Sequence, residues 1–169
     1  MTISIAFECF ADQDVCIHLR DSRGLRLKLM HEGGQGDVVN QVLVAKKASI
    51  GMVDEDPDSS HHRLRDQTEL ESDLRGGVQV RQKDGRFLII VRPELEECFI
   101  ASAQRAGFKS SLPANPGELR RLLGIPGHPA HATFRSELGS LHQIATANRI
   151  PTLVTDLEDS LKRLFAGSI

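Results

Sequence analysis

The first 54 residues alternate between two hydrophobic rhythms, and this limits the available folds more than any other feature of the chain. Residues 2–7 form a β-branched, apolar run that reads as a first strand and ends at Glu8. A helix follows, with Val15, Cys16 and Leu19 at helical spacing and Asp12 placed to cap it. Gly24 breaks the chain, and residues 25–29 alternate as a second strand. Gly33, Gly34 and Gly36 then turn into a helix with Val38, Val39, Val42 and Leu43 on one side, and residues 48–53 read as a third, buried strand. The order β-α-β-α-β requires right-handed crossovers between parallel strands. The expected fold class is therefore α/β, a mostly parallel central sheet flanked by helices, with a helical C-terminal part.

Sites in such sheets gather beyond the C-terminal strand ends. The third strand runs straight into Asp54, Glu55, Asp56 and Asp58, four acids within five residues. Carboxylates this crowded repel one another unless a cation neutralises them, which suggests a site for a hard divalent ion. A solvated acidic turn is the plainer alternative, since Asp and Pro57 are ordinary turn formers. Glu8 ends the first strand as Asp54 ends the third, so the fold could bring the two together. Each acid also has a purely structural reading: Glu8 as a strand-end partner of a lysine, Asp12 as a helix N-cap, and Glu96 as a first-turn acid.

Residues 59–74 are polar, with Leu64, Leu70 and Leu74 as apolar anchors, and predict a surface helix. Val78, Gln79 and Val80, then residues 87–91, predict a hairpin or two adjacent strands around Lys83, Asp84 and Gly85. Pro93 suits the first turn of a helix that buries Leu95, Cys98, Phe99 and Ala103 and opens with Glu94, Glu96 and Glu97. Beyond Gly107 come Pro and Gly, and a short basic helix near residues 118–123 carrying Arg120 and Arg121. A longer helix from about Pro129 carries Phe134, Leu138, Leu141 and Ala145. Thr155 and Glu158 suggest a capping box for a last helix with Leu157, Leu161, Leu164 and Phe165 inward. We expect an α/β core over residues 1–106 and a helical extension, 107–169, packed on the same domain.

Composition narrows the partners. A net charge of −2 gives no broad electrostatic grip on nucleic acid, but it leaves room for a local basic groove. Arg63, Arg65, Arg120 and Arg121, with Arg81, Lys83 and Arg86, could line such a track or serve as solubilising surface charge. Without Trp or Tyr and with seven Phe, the chain is poorly supplied for base stacking. Cys9, Cys16 and Cys98 form no Cys-x-x-Cys pair and read as small buried groups in a reducing compartment. Neither a signal segment nor an apolar run long enough for a membrane is seen, so the expected location is cytoplasmic, away from the membrane. His61 and His62 follow the acidic loop and His128 and His131 flank Pro129, without the spacing of a zinc site.

Glu8, Cys9 and Asp12 after the first strand, followed by Asp54 and Asp56 after a later one, resemble the Toprim domain of primases, topoisomerases and OLD-type nucleases. That family carries Glu-Gly-x-x-Asp and Asp-x-Asp at these places, and Cys9 stands where its Gly is usual. Arg92, Pro93, Glu94, Leu95, Glu96, Glu97, Cys98 and Phe99 are also similar to a segment of small stand-alone Toprim-like proteins, the RloB-like group, with Glu96 as the matching acid. The resemblance covers about residues 1–105. It implies a Toprim/Rossmann-like fold and a Mg²⁺ (or Mn²⁺) site for phosphoryl transfer on nucleic acid. Asp54, Asp56 and Asp58 would be metal ligands, with Asp54/Asp56 favoured over Asp56/Asp58 as the paired motif. Glu8 would be a ligand or general base, Asp12 would join the catalytic set, and Glu96 would be an additional acid. A partner ATPase and a role in bacterial defence are also implied. Two alternatives stay open: a Toprim-like protein that binds without catalysing, and a receiver-like signalling module phosphorylated at Asp54.

Overall fold

The computed structural model of this protein describes residues 2–45, 49–55 and 68–166. Its strands are β1 (Ile3–Phe7), β2 (Leu27–His31), β3 (Ser49–Asp54), β4 (Glu69–Asp73), β5 (Val78–Lys83) and β6 (Arg86–Val91). Its helices are α1 (Phe10–Arg23), α2 (Gln35–Val44), α3 (Leu95–Arg105), α4 (Pro116–Leu123), α5 (Ala130–Asn148) and α6 (Leu153–Ala166). The α/β architecture follows from the alternation of the first 54 residues. One sheet runs in the order β2-β1-β3-β6-β5-β4. Strands β2, β1, β3 and β6 are parallel to their neighbours in that set, and β5 and β4 continue it antiparallel.

Strands β1, β3 and β6 are covered on both faces, which is why each is a nearly continuous apolar run. Ile5, Phe7, Ile50, Met52, Ile89 and Val91 face one way, into the main core. Ala6, Val53 and Ile90 face the other way, against Val38 of α2. Gly51 lies mid-strand on the α2 side, where a Cβ would come within 2.8 Å of Leu88 and 2.9 Å of Val38 and Val42. Glycine is what lets α2 lie this close to the sheet. The same main core takes Leu119 and Leu123 from α4, Phe134, Leu138 and Leu141 from α5, and Leu153, Val154, Leu157, Leu161 and Leu164 from α6. Residues beyond 107 thus share one core with the first strands, each large buried side chain contributing about 1.5–3 kcal/mol.

Several local expectations shift. The second strand begins at Leu27, two residues later than its alternation suggested. The helix expected over 59–74 is not what residues 69–73 form: they are β4, an edge strand paired with β5. Leu70 is 54% exposed, so the leucine spacing there supplied no helical face to bury, and backbone pairing with β5 prevailed. Its acids, Glu69, Glu71 and Asp73, suit an edge that must not pair further. Leu64 and the rest of 56–67 lie outside the described residues. The hairpin expectation resolves to β5 and β6 joined by Asp84 and Gly85, with φ of 51° and 76°, a turn that needs a left-handed pair. After the cis Arg92–Pro93 peptide, α3 starts at Leu95 with Glu94 as N-cap, so Pro93 precedes the helix. The last helix starts a turn earlier than expected. Thr152 and Thr155 cap it reciprocally, at 2.9 and 3.3 Å, while Glu158 sits inside it bonded to His142 at 2.6 Å.

Candidate acidic centre

Between β1 and β3 the direction of winding reverses: the chain leaves β1 for β2 on one side and returns to β3 on the other. Crevices at such reversals collect functional groups at the C-terminal strand ends. Glu8 and Asp54 stand there, and Glu8 Oε1 accepts a hydrogen bond from the Asp54 N–H at 3.1 Å. Asp54 Oδ1 in turn accepts from the Leu95 N–H at 3.0 Å, so a β3 carboxylate caps α3, whose own N-cap Glu94 makes no side-chain cap bond. Gln35, opening α2, donates from Nε2 to the Asp54 carbonyl at 2.7 Å. His31, ending β2, donates from Nε2 to the Glu8 carbonyl at 3.1 Å and packs its ring on Phe10 at 4.8 Å between centroids.

Asp12 was expected as the N-cap of the first helix. Cys9 holds that position instead: its Sγ accepts from the Asp12 N–H at 3.4 Å, and Asp12 Oδ2 accepts from the Cys9 N–H at 3.3 Å. This is a capping box with cysteine in the serine role. The Cys9 backbone is extended, a conformation open to any residue, so nothing at this position requires glycine. Burial, then the charge of Asp12, pushes the Cys9 thiol far up and keeps it neutral. Asp12 is fully buried, and its Oδ1 finds no hydrogen-bond partner among the described residues.

Four carboxyl groups sense one another here. Asp54 is pushed up to about 9, first by burial and then by the charges of Asp12, Glu96 and Glu8. Asp12 is pushed up to about 7, again first by burial, with Glu8 and Glu96 adding to the shift and the Cys9 hydrogen bonds opposing it. Glu96, 3% exposed in the first turn of α3, is raised by burial. The structure therefore brings together Glu8, Asp12, Asp54 and Glu96. Glu55 turns away to Arg92 at 3.2 Å. Asp56 and Asp58, like His61, His62, Arg63 and Arg65, lie outside the described residues.

Most of the other basic candidates serve the fold. Arg81 donates to the Thr68 hydroxyl and carbonyl, both at 2.8 Å, and Arg86 to the Leu43 carbonyl at 2.6 Å. Arg121 is exposed on α4. Arg120, by contrast, pairs with Glu94 and reaches Glu96 at 3.9 Å. His128 Nδ1 accepts from the Ala130 N–H at 3.1 Å at the start of α5, and His131 joins buried Asp14 at 2.5 Å and the Ile125 carbonyl at 3.0 Å. The sequence reading passed over Gln35 and His31. The signal was present, because Gln35 lies among the glycines that follow the second strand and His31 ends that strand two residues before them.

Among the described residues no three His, Cys, Asp or Glu side chains are disposed to enclose a metal ion, and no helix is long and apolar enough to cross a membrane. Compared with protein-family models, with curated proteins and with solved structures, the chain finds no match. The functional case therefore rests on the site itself. Its donors are all carboxylate oxygens, the hard type that Mg²⁺ prefers, and one buried oxygen of Asp12 is unsatisfied. The Glu8 and Asp54 carboxylates are each engaged with a backbone N–H in this arrangement.

Proposed function

We propose that this chain is a Toprim-like, Mg²⁺-dependent (or Mn²⁺-dependent) phosphoryl-transfer protein that acts as a nuclease on nucleic-acid phosphodiesters. One observation carries the reading: buried Asp12 and half-buried Asp54, from α1 and β3, are gathered with Glu8 and buried Glu96 at the sheet's reversal point, and both aspartates are held above the usual carboxylate range. Such a cluster destabilises a fold unless protons or a cation accompany it. Perturbed acids in a crevice are what a functional site requires and a structural role rarely needs.

The donor set fits a hard divalent cation. Mg²⁺ keeps several waters and uses one or two protein carboxylates together with substrate phosphate, so it does not require a closed three-residue cage. Asp54 and Glu8 would hold it with Asp12 Oδ1 close by, and Asp56 and Asp58 follow in the chain. When bound, the ion neutralises the phosphodiester and lowers the charge barrier to attack. As the alternative to holding the ion, Glu8 would serve as the general base that takes the proton of the attacking water. The Asp54–Leu95 bond fixes the β3 carboxylate relative to α3, and Gln35 holds the same residue from its backbone side. The resemblance adds nucleic acid as substrate, a partner ATPase and a link to bacterial defence, and the unpaired cysteines add a reducing, cytoplasmic setting.

Incubation with DNA and RNA in Mg²⁺ or Mn²⁺, beside an Asp54→Ala control, tests the proposal. Cleavage lost with the substitution supports it, and cleavage indifferent to the substitution overturns it. Intact-mass measurement after exposure to a small phosphodonor adds a second check. A stable adduct on Asp54 would favour the receiver-like alternative.

A further inference from the structure

The C-terminal helices place a cation at the rim of the acidic centre. On α4, Leu119 and Leu123 are buried in the main core, whereas Arg120 between them extends outward to α3. It meets Glu94, the N-cap of α3, and comes within 3.9 Å of Glu96 in the first turn. The Leu95 N–H between those two acids is the group Asp54 holds. The two acids that Arg120 faces thus lie one residue to either side of the Leu95 N–H that Asp54 holds. Its side chain is 53% exposed, while that of Glu96 is 4% exposed.

These contacts describe an arginine that can change partners. Arg81, Arg86 and Arg105 are committed to backbone carbonyls and tie elements together. Among the described residues Arg120 is held only by carboxylates, the half-buried Glu94 foremost, and with over half of its own side chain in water the pair is open to exchange. A cluster of acids alone would repel an incoming phosphodiester. A planar guanidinium at its edge offers the paired donors that suit a phosphate group.

We propose that Arg120 is the phosphate-binding residue of the centre, leaving Glu94 to take a backbone phosphate oxygen of the nucleic acid next to the bond presented to Asp54. This deepens the phosphoryl-transfer reading and rests on it. It also gives the helical extension a role: α4 sets the position from which the cation reaches the site.

Binding of a short fluorescein-labelled single-stranded DNA, measured by anisotropy in Mg²⁺ across a salt series, provides the test, with Asp54→Asn as the parent so that cleavage does not interfere. Arg120→Met should weaken binding about tenfold and lower the salt slope by about one. Glu94→Gln frees the guanidinium and should tighten binding, while the double variant should match Arg120→Met. Thermal melts of each variant separate these effects from loss of fold. The inference is overturned if Arg120→Met binds as the parent does, or if Glu94→Gln leaves affinity unchanged or weakens it. Wild-type cleavage that survives Arg120→Met with unchanged KM removes this inference alone. Absence of both binding and cleavage in the wild type removes the phosphoryl-transfer reading and this one with it.

Discussion

Glu8 Oε1 accepts the backbone N–H of Asp54 across a 3.1 Å hydrogen bond, so the carboxylate that ends β1 also fixes the end of β3. Charge and hydrogen bonding oppose each other at this contact. Glu8→Ala removes the acceptor from a half-buried N–H and should cost about 1–3 kcal/mol. Glu8→Gln keeps an oxygen there and removes a charge that pushes on Asp54 and Asp12, so it should be neutral or stabilising. Urea denaturation of the two variants at pH 8 checks the contrast.

Stability should fall with rising pH in a defined window. Asp12 and Asp54 ionise near 3.8 when unfolded but hold their protons to about 7 and about 9 when folded. Between these limits the folded state binds more protons, so ∂ΔG/∂pH is negative. Their contribution is fully present below about pH 4, declines as each carboxyl ionises, and is gone above about pH 9. Asp54→Asn keeps an oxygen for the Leu95 N–H and should flatten the upper part of the curve. Thermal melts from pH 4 to 9, in chelator, provide the readout, at about 2–4 °C per kcal/mol for a chain of this size.

Mg²⁺ should reverse that trend. A cation competes with the protons of Asp54 and Asp12, so its stabilising effect should grow as pH rises from 6 to 9. At a hundredfold excess over its dissociation constant the gain is about 2.7 kcal/mol. Scanning calorimetry of the wild type and of Asp54→Asn with added Mg²⁺ measures it, and equal shifts in both proteins would remove Asp54 from the ligand set.

Gly51→Ala should destabilise the sheet without touching the acids. The added methyl would lie 2.8–2.9 Å from Leu88, Val38 and Val42, forcing α2 off β3 at a cost of about 1–3 kcal/mol. Chemical denaturation gives the cost directly. The size of the Mg²⁺ stabilisation should be unchanged.

The parallel core was legible because its strands announce themselves locally. Runs such as Ile3–Phe7 and Ser49–Asp54 are apolar on both faces and stop at acids, and Asp84 with Gly85 is a hairpin turn in its own two residues. The centre was legible in part: Glu8 and Asp54 could be placed at C-terminal ends of strands in one parallel sheet from the alternation alone, while the pairing that makes β1 and β3 neighbours came from the structure. Two features were misread because another segment intervenes, and a third, Asp12, because a neighbour three residues away takes the cap. β4 is a strand because β5 offers it hydrogen bonds. Asp12 is not the cap because Cys9 accepts its N–H. Glu158 is not in a cap because His142, from another helix, takes its carboxylate.

The sequence by itself determined the order of elements, the apolar faces and the strand ends at which acids stand, because these depend on spacing within a few residues. Only the tertiary structure decided that Asp54 would cap α3, forty-one residues away, that Asp12 and Glu96 would share its surroundings, and that Arg120 would stand at their edge. The physical reason is that burial and charge act through space. Four carboxylates scattered along a chain are ordinary solvated groups. Gathered beneath helices and away from water, they shift one another's ionisation, and no local pattern records that coupling.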